Sequence, residues 1–253
     1  MTSARRAESE LHPATHGFEL AADAYERGRP DYPAAALDFL VERLGLRPGR
    51  TVLDLAAGTG KLTRLLVPTG VEVIAVEPIA SMRAKIEGAR VLEGTAEAIP
   101  LADGSLDAVT VAQAFHWFRA DEALREIHRV LRPGEAVALV WNVRDERNPV
   151  QAGASEIIRS LEGDVPRRHK RDWRRVLDDS AGLFTPSEVT TFDHEQLVDE
   201  DGFVERFTSV SFVAAAPPDV RADIEAKLRA LAGTAGTPLR LPYVTEVYLA
   251  FKT

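Results

Sequence analysis

The sequence predicts an α/β fold in which a largely parallel sheet is wound by helices on both faces. Three observations carry this. Short runs that are apolar on both faces, Thr51–Leu55 (TVLDL), Val71–Val76 (VEVIAV) and Ala136–Trp141 (AVALVW), alternate with amphipathic stretches up to about residue 145. A glycine-bearing turn, Ala56–Gly60, follows the first run. An acid, Glu77, stands directly after the second.

The elements follow in order. Pro33 suits the start of a helix, and Leu37, Leu40, Val41 and Leu44 recur at helical spacing before Pro48-Gly49 ends it. Thr51–Leu55 is the first strand, and Lys61–Leu66 begins the next helix. Val71–Val76 is the second strand, Ala80–Glu87 a helix, Arg90–Leu92 a short third strand and Leu106–Ala112 a fourth. Leu124, Ile127 and Leu131 mark one face of a crossover helix, stopped by Arg132-Pro133-Gly134 before the strand at Ala136. Beyond residue 145 the texture changes. Glu156–Leu161 and Trp173–Leu177 read as helical and Val189–Val198 alternates as a strand. Val220, Ile224, Leu228 and Leu231 mark a further helix ended near Gly233, and Val244–Phe251 closes as a strand. The whole chain, 1–253, reads as one domain, with late helices and strands added to the core rather than forming a second unit.

Composition narrows the function classes. A chain of 253 residues that is 45% hydrophobic and 28% charged is ordinary globular material. The absence of cysteine excludes disulfides, thiolate zinc sites and a cysteine nucleophile. A balance of 31 basic to 39 acidic residues argues against a nucleic-acid surface. No run approaches the ~18 apolar residues of a membrane span, and the N-terminal stretch lacks the apolar core of a signal peptide. The expectation is a cytoplasmic protein without nucleic-acid or membrane partners, as a monomer or homodimer. His12, His16, His169 and His194 have no metal-site spacing.

The turn Val52–Thr63 (VLDLAAGTGKLT) is the most informative stretch. Glycines there admit positive φ and close approach of a ligand to the backbone, and the carboxyl ends of such strands are where ligands bind. Glu77 is placed to accept two hydrogen bonds from a ribose. A phosphate-binding P-loop fails, because Leu62 follows Gly60-Lys61 and Leu55 occupies the first glycine position. A dinucleotide fingerprint from Gly58 meets Thr63 where glycine or alanine belongs, and one from Ala56 meets Lys61. A tight strand-to-helix turn without a ligand is the plain alternative.

Asp54-Leu-Ala-Ala-Gly58-Thr-Gly60 resembles the first motif of the class I S-adenosylmethionine-dependent methyltransferases. Glu77-Pro78 with Ser81-Met82 resembles the second motif, and Gly94–Phe118 the third loop and fourth strand. Arg129–Asn142 resembles the entry to the fifth strand. Tyr25–Pro33 (YERGRPDYP) is similar to a segment of the subgroup that includes trans-aconitate methyltransferase-like proteins. The likeness is strong over residues ~18–145, the expected cofactor-binding core, with ~146–253 as the acceptor-site cover. It implies a Rossmann-like seven-stranded sheet whose last strand runs antiparallel between the fifth and sixth.

The resemblance also implies roles. S-adenosylmethionine would be the cofactor and S-adenosylhomocysteine the product. Backbone at Ala56, Gly58 and Gly60 would hold the methionine portion, with Asp54 near its amino group. Glu77 would grip the ribose, with Pro78 and Ile79 flanking the adenine and Thr95 and Ala96 at its edge. Gln113 and Ala114 would pass beneath the sulfonium. Two positions depart from the pattern: Ala56 replaces the first glycine, and Thr95 stands where many relatives carry an acid.

Among candidates for chemistry, His116 in AFHWF would be a base or an acceptor contact, with loop packing as its bland role. Tyr25 and Arg29 would lie over the cofactor as part of a lid or brace the first helix. Trp141, Asn142 and Arg144 would line the acceptor pocket, Trp141 also serving the core. His128 reads as a helix-packing residue. Arg167–Arg175 (RRHKRDWRR) reads as a solvated helix face or an anion-recognition surface. The expected acceptor is a small molecule, anionic and tilted towards a carboxylate. A non-catalytic protein that binds the same cofactor is the rival reading.

Overall fold

The computed structural model describes residues 26–166, 172–180 and 182–253. Its centre is a seven-stranded sheet in the order β3-β2-β1-β4-β5-β7-β6. The strands are β1 Thr51–Leu55, β2 Glu72–Val76, β3 Arg90–Leu92, β4 Leu106–Ala112, β5 Leu131–Arg144, β6 Glu188–Val198 and β7 Leu239–Phe251. β1 to β5 pair in parallel, while β7 runs antiparallel to both β5 and β6, as the resemblance implies.

Alternation along each buried strand builds two cores at once. Leu53, Ile74, Val109 and Val137 face one side, where α4 (Ala120–Val130) lays down Leu124, Ile127 and Val130. Their neighbours Val52, Val73, Ala108 and Ala136 face the other. There α1 (Ala34–Leu44) packs through Leu40 and Leu44, and the turn into α2 (Thr63–Leu66) packs through Leu62 and Leu66. This two-sided burial is why the runs read as continuously apolar.

A third apolar cluster lies in the second half. It joins α5 (Pro149–Arg159), α7 (Glu200–Thr208), α8 (Ser211–Ala214) and α9 (Pro218–Ala232) to Leu239, Leu241 and Tyr243 at the start of β7. α6 (Trp173–Asp178) packs Leu177 on the first core.

Several boundaries differ from expectation. α3 is the single turn Ala80–Arg83, not Ala80–Glu87. α4 ends at Val130, and Leu131 belongs to β5. α1 stops at Gly45, which takes the left-handed conformation (φ 60°), ahead of Pro48-Gly49. α7 and α8 lack a sequence forecast, although Asp199 caps α7 by accepting the Gly202 N–H at 2.8 Å. No helix among the described residues is long and apolar enough to cross a membrane.

Candidate active site

The turn after β1 winds left-handed at Ala56 (φ 55°) and again at Gly58 (φ 60°). An alanine tolerates that region poorly. The surroundings hold it there: the Ala57 N–H donates to the Val76 carbonyl at 3.1 Å, which docks the turn on the end of β2. A Cβ added at Gly58 would meet nothing within 4 Å, so this part of the turn borders open space.

Glu77 caps the same turn from the tip of β2. Only 3% exposed, its carboxylate accepts the Gly58 N–H at 2.8 Å and the Ile79 N–H at 2.9 Å. Burial pushes its pKa up to about 7, against the two N–H donors that favour the ionised form. A carboxylate offers about four lone-pair sites, so these two bonds leave room for a diol.

Asp54 stands elsewhere than expected. It is fully buried and does not line the cleft. Thr63, the first residue of α2, donates its hydroxyl to Asp54 Oδ2 at 2.6 Å, and Thr110 Oγ1 of β4 lies 3.4 Å from Oδ1. Burial lifts this carboxyl to about 6, with the hydroxyl donors pulling the other way. Asp54 therefore staples the floor. Strand parity held the signal: Asp54 shares a face with Val52, the face that packs on α2. Gly60 likewise shapes the turn, its N–H donating to the Ala57 carbonyl at 2.9 Å, and does not line the cleft.

The cleft encloses 320 Å³. Ala56, Gly58, Glu77, Pro78, Thr95, Ala96, Gln113 and Ala114 meet along it, and Ile79, Met82 and Phe118 add apolar surface. Gln113, at the end of β4, adopts φ 58° and donates its N–H to the Val140 carbonyl at 2.9 Å. Two non-glycine residues in the left-handed region, Ala56 and Gln113, thus border one cleft. Such clustered strain is a mark of functional sites.

A second cavity of 640 Å³ adjoins the first, and both are lined by Arg29, Gln113, Trp117, Asn142 and Arg206. His116 lines only the second, where its ring lies 5.0 Å from Trp117 and 5.3 Å from Trp141. Trp141, 1% exposed, serves the core and the cavity together. Arg144 also lines this cavity, its guanidinium 5.3 Å from the Phe207 ring.

Tyr25 lies outside the described residues, as do Arg167–Arg171 of the basic segment. From Glu26 onward the N-terminal segment is laced over the cleft. Glu26 bonds Thr59 and Arg64 of the glycine turn and α2. Asp31 pairs with Lys61 at 3.0 Å, and its carbonyl accepts Asn142 Nδ2 at 3.1 Å. Arg27 pairs with Glu205 of α7 at 2.7 Å. Away from the site, His128 packs its ring on Phe184 at 5.8 Å. No group of three metal-binding side chains occurs among the described residues. The chief residue that sequence reasoning missed is Arg206, since only packing distinguishes it from any helix-surface arginine.

A family model described as a methyltransferase domain matches residues 53–139. Over 242 residues the chain is 40% identical to an uncharacterized methyltransferase of Mycobacterium tuberculosis, covering 90% of this chain and 92% of that protein. Over 234 residues it is 31% identical to an uncharacterized methyltransferase-like protein of Schizosaccharomyces pombe, covering 90% of each. Among solved structures, a putative type II methyltransferase from Anaeromyxobacter dehalogenans superimposes with a TM-score of 0.58 at 28% identity, covering 88% of this chain and 97% of that one. With this fold, this glycine turn and these relatives, the chain belongs to the class I S-adenosylmethionine-dependent methyltransferases.

Proposed function

We propose that the protein methylates a small-molecule acid seated in the second cavity, with S-adenosylmethionine in the cleft beside it. The observation that carries this is the shared wall: two cavities meet at Gln113, Asn142 and Arg206, so a donor and an acceptor can lie end to end.

The cleft's residues fit the cofactor. Glu77 retains lone pairs for a ribose diol, Pro78 and Ile79 offer flat apolar surface to a base, and Thr95 and Ala96 border its edge. The backbone at Ala56 and Gly58 lies open to the methionine portion. When bound, S-adenosylmethionine supplies a methyl already activated on a sulfonium, whose transfer to a carboxylate oxygen breaks one S–C bond, forms one O–C bond and moves no proton. The chain's task is then orientation, which can contribute ~7–11 kcal/mol. Gln113, its backbone pinned to Val140, borders both chambers at the point of transfer. Arg29 and Asn142 bound the junction. His116, held between two tryptophans, shapes the acceptor's seat, and a carboxylate acceptor requires no base of it.

Calorimetric titration with S-adenosylhomocysteine, with NADH in parallel, tests the cofactor. Micromolar one-to-one binding of the former alone is expected. Binding of NADH instead, or of neither, removes the reading.

A further inference from the structure

Arg206 is a buried cation without a counter-ion among the described residues. It is 4% exposed, on α7, and lines both cavities. Its Nε donates to Tyr243 Oη at 2.8 Å, and the guanidinium lies 5.6 Å from the Phe207 ring and 5.8 Å from the Tyr243 ring. Nη1 has no hydrogen-bond partner, and among the described residues no carboxylate pairs with the group. The acids lining the second cavity, Glu146 and Glu162, leave it unpaired. The remaining lining arginines, Arg29, Arg144 and Arg159, are all more exposed.

Burying a charge without a partner costs folding stability. Such a cost is characteristic of a group kept for a ligand. A second orphan stands in the same chamber: Ser155, on α5, is 6% exposed, lines the cavity, and its hydroxyl has no partner. A guanidinium fork and a hydroxyl donor together suit a planar oxyanion.

We propose that Arg206 and Ser155 form the receptor for the acceptor's carboxylate, which makes small carboxylic acids the substrate class. This rests on the proposed methyl transfer and assigns the residues that select its acceptor. Chemically it explains why an arginine sits where an aliphatic residue would give a more stable chain.

The test uses the full chain saturated with S-adenosylhomocysteine. Benzoate, phenylacetate, succinate and inorganic phosphate are titrated by calorimetry at matched ionic strength, with benzamide as the uncharged counterpart. Wild type, Arg206→Met and Arg206→Lys are compared. At least one carboxylate is expected to bind one-to-one, with benzamide at least about tenfold weaker, the loss set by removing a charge-assisted pair. Arg206→Met should lose that binding, keep S-adenosylhomocysteine affinity, and melt at or above the wild-type temperature. Arg206→Lys should retain a charge but bind the acids more weakly.

Four results overturn the proposal. None of the acids binds while S-adenosylhomocysteine does; or phosphate binds more tightly than every acid. Arg206→Met melts more than about 4 °C lower with acid binding intact, which makes the arginine structural. Or it loses S-adenosylhomocysteine instead of the acid, which gives Arg206 to the cofactor. Failure of wild type to bind S-adenosylhomocysteine is a separate outcome that strikes the methyl-transfer reading, and acid titrations repeated without it still read Arg206.

Discussion

The Glu77 carboxylate accepts the Gly58 N–H at 2.8 Å, so the acid at the tip of β2 holds in place the turn that follows β1. A single group thereby shapes the glycine turn and lines the cleft. Its removal should act on both. Glu77→Ala is expected to weaken S-adenosylhomocysteine binding by roughly 1.5–3 kcal/mol, the scale of hydrogen bonds to a charged group. Unchanged affinity in calorimetry would mean that the ribose is held elsewhere.

The pH dependence follows from the same residue. Its pKa, raised by burial to about 7, means that the folded protein binds a proton that the unfolded chain releases near 4.5. Its ionisation therefore lowers stability as pH rises from about 4.5 to 7. Ligand binding runs the other way, since a diol donates to the ionised carboxylate. S-adenosylhomocysteine affinity should fall about tenfold between pH 8 and pH 6, the change in ionised fraction for a pKa near 7, and Glu77→Gln should flatten that profile. Equal slopes in the two proteins would exclude Glu77 as the titrating group.

Asp54 offers a test of the floor. Thr63→Val removes the donor 2.6 Å from its carboxylate. The loss should be about 1–3 kcal/mol, and larger at pH 8 than at pH 5. Asp54 titrates near 6, so at pH 5 its protonated form no longer buries a charge. Urea denaturation at the two pH values measures this, and an equal loss at both would show that Asp54 does not change its charge between pH 5 and pH 8 in the folded state.

Ala56 holds φ 55°. Left-handed backbone costs an alanine about 1–2 kcal/mol, and glycine returns about 0.5–1 kcal/mol of that as unfolded-state entropy. Ala56→Gly should therefore gain about 0.5–1 kcal/mol. A lower Tm would mean that the methyl's contact with the core outweighs the strain.

His116 lines the second cavity and not the cleft. His116→Ala should leave S-adenosylhomocysteine affinity within about twofold, a change below ~0.5 kcal/mol. A tenfold loss would put the imidazole in the cofactor cleft.

Much of this was legible in the residues themselves. Strands buried on both faces cannot alternate, and TVLDL, VEVIAV and AVALVW announced a parallel sheet for that reason. Glu77 was legible because its position after β2 fixes where its side chain stands. α3 was forecast too long because Ile86 leaves the helical path to pack beside Gly60, within 3.5 Å of where that residue's Cβ would be. Arg206 was not legible at all. In EDGFVERFT it reads as one more solvated cation, and its seat against Tyr243 of β7 is a contact no local pattern encodes.

β7 does more than build the sheet, although every residue from Leu239 to Phe251 pairs with β5, β6 or both. Its C-terminal half zips to β5, while its first residues, Leu239 to Tyr243, are the floor of the third apolar cluster and carry the hydroxyl that holds Arg206. The sheet and the second-half cluster thus share one strand, yet Arg206, the proposed acceptor contact, lies outside residues 53–139, the stretch that the methyltransferase family model matches. On the proposed reading, a change of acceptor would need changes only in α7 and the root of β7, outside the residues proposed to hold the cofactor. On that reading too, the residue at 206 would sort relatives by their acceptor, and the glycine turn only by their cofactor.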